Sequence, residues 1–117
     1  MAQEEIFTID QGSDVAIEMY IVKKDGNPRN IASHAFNMKM KRSYNSTDSA
    51  DIVDWATIVS DADKGIMTAS LTNTQTDLLR KGKYLYDVEM QYVDSGGDTI
   101  IERVLQGQMI VSPSVTR

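Results

Sequence analysis

Hydrophobic and polar side chains alternate along most of this chain, and the alternation is longest between Gly82 and Tyr92. There Tyr84, Tyr86, Val88, Met90 and Tyr92 fall on one side, and Leu85, Asp87, Glu89 and Gln91 on the other. A β-strand sends successive side chains to opposite faces, so this stretch reads as one strand with a wide apolar face and a mainly polar one. The tyrosines add bulk to the apolar face, and each hydroxyl needs a partner or water. Related β-prone runs occupy Glu5–Ile9, Val15–Val22, Phe36–Arg42, Trp55–Val59, Ile66–Leu71 and Thr99–Val111. In the second of these, Val15, Ile17, Met19 and Ile21 share the core face, with Glu18 and Tyr20 opposite. In the third, Phe36, Met38 and Met40 point inward while Asn37, Lys39 and Lys41 stay wet.

Turn formers separate the runs. Asp10–Asp14 contains Gly12, Asp25-Gly26-Asn27-Pro28 carries the strongest signal, and Asp61–Gly65 and Ser95–Asp98 turn again. Ser43 to Asp51 is low in hydrophobicity and is the longest loop candidate. One helical piece is expected before the central strand: Asn73 or Thr74 caps it, Thr76–Lys81 fills one or two turns, and Gly82 stops it. Gly107 interrupts the last strand and predicts a bulge or bend, and Pro113 ends that strand. Six or seven short strands at this spacing predict one all-β domain over residues 1–117, an antiparallel sandwich or barrel without βαβ crossovers.

The 117 residues suit one domain with one core, and 25% charged with 41% apolar residues is ordinary for a soluble protein. The formal charge of −5 lacks the Lys/Arg excess that neutralises phosphates, so nucleic acid is not an expected partner. No apolar run approaches the roughly 20 residues of a membrane helix. The opening Met1–Glu5 has no basic n-region and predicts no signal peptide. Cysteine is absent, which removes disulfides and thiolate chemistry together.

Catalytic chemistry finds little footing. His34, the single histidine, sits in a polar turn with no nucleophile-elbow pattern around any serine, and reads as an exposed loop residue. Asp87 and Glu89 share a strand face, which suits a solvated surface better than a hydrolytic pair. Asp48, Asp51 and Asp54, or Asp61 and Asp63, could offer oxygens to calcium, but neither set has EF-hand spacing. They read as turn formers. Lys39 and Lys41 are placed to pair across strands with Asp87 and Glu89, or to meet an acidic partner. No catalytic residue, metal site or cofactor is expected.

The order and spacing of several motifs resemble a family of small tailed-phage virion proteins. They are Ile9–Asp14, Asp25–Pro28, Met40–Tyr44, Gly82–Glu89, Leu105–Gly107 and Val111–Arg117. The chain is similar to the immunoglobulin-like N-terminal domain of siphophage baseplate upper proteins, and more closely to short virion structural proteins of marine tailed phages. The resemblance implies an Ig-like antiparallel β-sandwich of about seven strands. It also implies a non-enzymatic structural or adaptor role in the virion (tail, baseplate or fibre attachment), after synthesis in the host cytoplasm. Capsid decoration remains open, as does a host-surface or glycan-binding module using the Tyr44–Trp55 region. The implied partners are other virion proteins, in a homo-oligomer or symmetric array, with no nucleic acid and no membrane.

The first strand and the end of the last are expected to be sheet edges. Ile6, Phe7, Ile9, Met109 and Ile110 would then offer apolar side chains beside unpaired backbone groups, as an interface. The alternative is that the two segments pair with each other, or with interior strands, as ordinary core. Tyr44 and Trp55 complete the interface candidates, with core burial the preferred reading for Trp55.

Overall fold

The computed structural model describes residues 3–47 and 51–113. Two sheets pack face to face. The larger uses β1 (Gln3–Asp10), β3 (Ala35–Lys41), β4 (Ile52–Asp54), β7 (Gly82–Val93) and β8 (Thr99–Ser112), in the order β1-β8-β7-β3-β4. The smaller uses β2 (Val15–Tyr20), β5 (Ala56–Asp61) and β6 (Ile66–Leu71), in the order β2-β6-β5. This is an all-β sandwich with one short helix, α1 (Asn73–Asp77), before the tyrosine-rich strand.

Period-two patterning sets which side of each strand is dry. Tyr84, Tyr86, Val88 and Met90 of β7 are buried, as are Phe36, Met38 and Met40 of β3, and Met19, Met67, Ala69 and Leu71 of the smaller sheet join them in one core. Six of the seven methionines are core residues, at positions 19, 38, 40, 67, 90 and 109. Their unbranched side chains fill the irregular space between twisted sheets. β7 lies between β3 and β8, so it carries a ladder on both edges.

One pairing departs from the antiparallel expectation. β1 runs parallel to β8, from Gln3 opposite Leu105 to Asp10 opposite Ser112. The chain therefore pairs its first strand with its last, and the last strand is interior. Met109–Val111 is not an edge: it is held by Phe7–Ile9 on one side and by Gly82–Tyr84 on the other.

The irregularity in β8 also sits elsewhere than expected. The register with β7 shifts between Val88 and Glu89, which oppose Leu105 and Arg103, so Val104 is the extra residue. Gly107 serves close approach instead: a Cβ there would overlap the carbonyl oxygen of Glu5 and stand 3.0 Å from its carbon.

The helix begins and ends earlier than the sequence suggested. Thr72 is its N-cap, and Thr72 and Gln75 form a capping box, with the Gln75 N–H donating to Thr72 Oγ1 (3.3 Å) and the Thr72 N–H to Gln75 Oε1 (2.9 Å). Leu78 closes it, so Arg80 and Lys81 lie beyond its end. Buried Thr76 donates to the Ser13 carbonyl (2.7 Å), and Gln11 Nε2 donates to the Leu79 carbonyl (2.8 Å), tying the helix to the β1–β2 turn. Thr72→Ala removes the cap and should cost about 1 kcal/mol in urea denaturation; a loss confined to α1 would appear as faster amide exchange there alone.

Candidate functional site

The surface with the most varied chemistry is the outer face of the five-stranded sheet. Lys39, Lys41, Leu85, Asp87, Glu89, Arg103 and Gln106 line an open groove of about 220 Å³, with Tyr44 at its margin. A second depression of about 570 Å³ continues from Tyr44, Leu85 and Gln106 to Glu4, Ile6 and Gln108. Lys39, Asp87 and Arg103 are in ion pairs, though not as the sequence suggested. Lys39 lies opposite Asp87 in register, yet its ammonium reaches Asp54 (3.5 Å) on β4, while Asp87 pairs with Arg103 (3.3 Å) on β8. The two open ion pairs contribute little to stability.

The second surface is an open edge. β1, eight residues long, borders the larger sheet with no strand on its outer side. The other edges are shorter or guarded: β2 has six residues, β4 has three residues and a charged Asp54, and β5 carries a register shift between Val59 and Asp61. Backbone groups alternate sides along a strand. The Gln11 N–H bonds the Ser112 carbonyl (2.9 Å), so odd-numbered residues of β1 address β8. Glu4, Ile6 and Thr8 consequently turn their N–H and C=O groups to the open side. Beside this edge, a cleft of about 440 Å³ opens between the two sheets, with Phe7, Met19, Ile21 and Leu105 among its lining and Glu18, Tyr20 and Val22 on the β2 side.

Tyr86 anchors the edge strand from two strands away. It lies opposite Gly107, and with no side chain there its ring reaches across β8 to within 5.8 Å of the Phe7 ring. Its hydroxyl donates to the Glu5 carbonyl (2.9 Å). Burial, and to a lesser extent the Glu5 charge, push the phenol well above its ordinary pKa of 10.0. The folded chain thus keeps this proton where the unfolded chain releases it, so the contribution of Tyr86 to stability is full below pH 10 and is lost as pH rises further. Tyr86→Phe should cost about 1 kcal/mol at neutral pH and should flatten the alkaline decline in denaturation midpoint; an unchanged alkaline profile would argue against this role.

The seven interface candidates separate. Ile9, Met109 and Trp55 are core, at 1%, 0% and 6% exposure, because β1 and β8 point Ile9 and Met109 between the sheets and Trp55 sits where the chain crosses from β4 to β5. For Ile9 and Met109 this replaces the interface reading with the alternative of ordinary core, for Trp55 it agrees with core burial, and all three are unavailable to a partner. Phe7 is half-buried against the core. Ile6 and Tyr44 are exposed, and Ile110 is half-buried, two residues from Gln108 on the outer face. Sequence reasoning missed Gln106, Gln108 and the cleft; Tyr20, opposite Met19 in its strand, was the available signal.

The remaining candidates have structural occupations. His34 stacks on Tyr92 (4.8 Å between rings) and its Nδ1 lies 2.8 Å from the Ala32 carbonyl; the ring is half-buried rather than exposed. Arg29 lies over the same Tyr92 ring and pairs with Glu102. Asp51 pairs with Arg80 (3.4 Å), Asp61 accepts from the Lys64 N–H, and Asp63 accepts from Asn30. Asp48 and the tail from Ser114 lie outside the described residues.

No family model matches the chain, and no curated protein does. Among solved structures it is similar to the N-terminal domain of phage TP901-1 ORF48, at 16% identity and a TM-score of 0.60, over 92% of this chain and 85% of that one. It is also similar to AggA, the major subunit of aggregative adherence fimbriae type I from Escherichia coli, at 10% identity and a TM-score of 0.41, over 92% of this chain and 89% of that one. The first likeness is one of fold.

Proposed function

We propose that this chain is a non-enzymatic structural or adaptor protein of a tailed-phage virion, acting through protein–protein contacts in the tail or baseplate. The observation that carries the reading is the architecture shared with a phage protein domain across 92% of this chain. The open β1 edge supplies the contact chemistry: eight residues of strand, half of whose backbone groups lack a ladder, with Ile6 exposed at 69%. The protein is made in the host cytoplasm and joins the particle in repeated copies, where symmetry multiplies a modest contact.

Antibody raised against the purified chain, applied to purified particles under the electron microscope, tests the reading. Label at the tail or baseplate is the expected result. Label over the head would make the chain a capsid decoration protein instead. Particles without label, together with binding of the free chain to cells or polysaccharide, would replace the structural reading with a host-surface module.

A further inference from the structure

We infer that the β1 edge is a strand-addition site whose occupant is an extended segment of another protein in which lysine or arginine alternates with aliphatic side chains. The inference rests on the assembly reading and names the chemistry of the partner.

The geometry defines the occupant's backbone. Glu4, Ile6 and Thr8 present N–H and C=O groups along the open edge, and only another extended backbone matches that two-residue repeat. A strand laid there would send alternate side chains towards the cleft, where Phe7, Met19 and Leu105 are apolar and Glu5 and Glu18 bring carboxylates, and the others to the outer face beside Glu4 and Ile6.

The electrostatics define its charge. Glu4 accepts from the neutral Gln106 amide (3.4 Å) and Glu18 from the neutral Tyr20 hydroxyl (3.1 Å), and among the described residues neither forms an ion pair. The hydrogen bond to the Glu18 carboxylate, and then its charge, hold the Tyr20 phenol above its usual pKa. No lysine or arginine lines the cleft. A second copy of β1 fits poorly, because Gln3–Asp10 contains Glu4, Glu5 and Asp10 and no cation, and self-pairing would gather all these carboxylates on one ladder. A basic segment gains where a second copy is repelled.

The test uses the purified chain and two synthetic peptides, one alternating valine with lysine and one alternating valine with glutamate. The lysine peptide should slow amide exchange at Glu4, Ile6 and Thr8, and bind at least about fivefold more tightly than the glutamate peptide at low salt. Ile6→Pro removes a donor from the open side without touching the β8 ladder, and should abolish peptide binding while leaving the near-ultraviolet circular dichroism intact. Phe7→Pro, which breaks the β8 ladder, marks what an unfolded edge looks like. Equal binding of the two peptides, exchange slowed elsewhere, undiminished binding to a folded Ile6→Pro chain, or slowing at the same amides by self-association would each overturn the inference. No particle is needed, so failure here leaves the virion reading standing, and absence from particles with intact peptide binding strikes only the latter.

Discussion

Val88→Asp is expected to unfold the protein at room temperature. Val88 is fully buried at the middle of β7, with Met38 opposite it on one side and Leu105 on the other. An aspartate there has no cation or donor in reach, and must either hold an unpaired charge in the core or take up a proton to shed it. Either course should cost more than about 4 kcal/mol, a large share of the roughly 5–15 kcal/mol that holds a domain together. Glu89→Gln, one residue on, points to the outer face and should shift stability by about 0.5 kcal/mol or less. Urea denaturation of the pair decides the register: similar midpoints would mean that β7 does not face as described.

Gly107→Ala should be strongly damaging for a change of a single methyl group. The added Cβ would overlap the Glu5 carbonyl, which also receives the Tyr86 hydroxyl, so relief requires β1 to move off β8. The backbone φ of +155 adds strain of its own. The expected loss is about 3 kcal/mol. Gly97→Ala is the control: its φ of +88 is equally unfavourable to a side chain, but the space around it is open, and the cost should stay near 1 kcal/mol. If the two alanines cost the same, backbone strain alone explains Gly107 and the close approach of β1 carries no weight.

The period-two pattern made most of the sandwich legible. The buried faces of β2, β3 and β7 follow directly from alternation, because each strand has one dry side and one wet side. Pairing partners were not legible, since alternation is local and the β1–β8 ladder joins residues as far apart as the 102 positions between Glu4 and Gln106. That ladder is why Met109 belongs to the core and why β1, not β8, borders the larger sheet. The helix start was readable in Thr72-Asn73-Thr74-Gln75, a capping-box spacing hidden among other good cap residues. The extra residue at Val104 left no mark, because Ile100, Ile101, Val104 and Leu105 fit either register, whereas Gly107 drew attention for a different reason. Of the candidate surface, Ile6 and Tyr44 could be read from their types, but the cleft arises where β1, β2 and β8 come together in the folded chain.

The parallel course of β1 beside β8 has a mechanical meaning. A pull that draws Gln3 back and Ser112 forward slides the two strands along each other, and loads their hydrogen bonds together. An antiparallel hairpin pulled at its open end gives way rung by rung. Tension carried through the ends of this domain therefore meets its ladder in shear, with Tyr86 pinning the sliding strand at Glu5. The resistance to rupture then depends on how fast the whole ladder fails, not on the depth of the folded state.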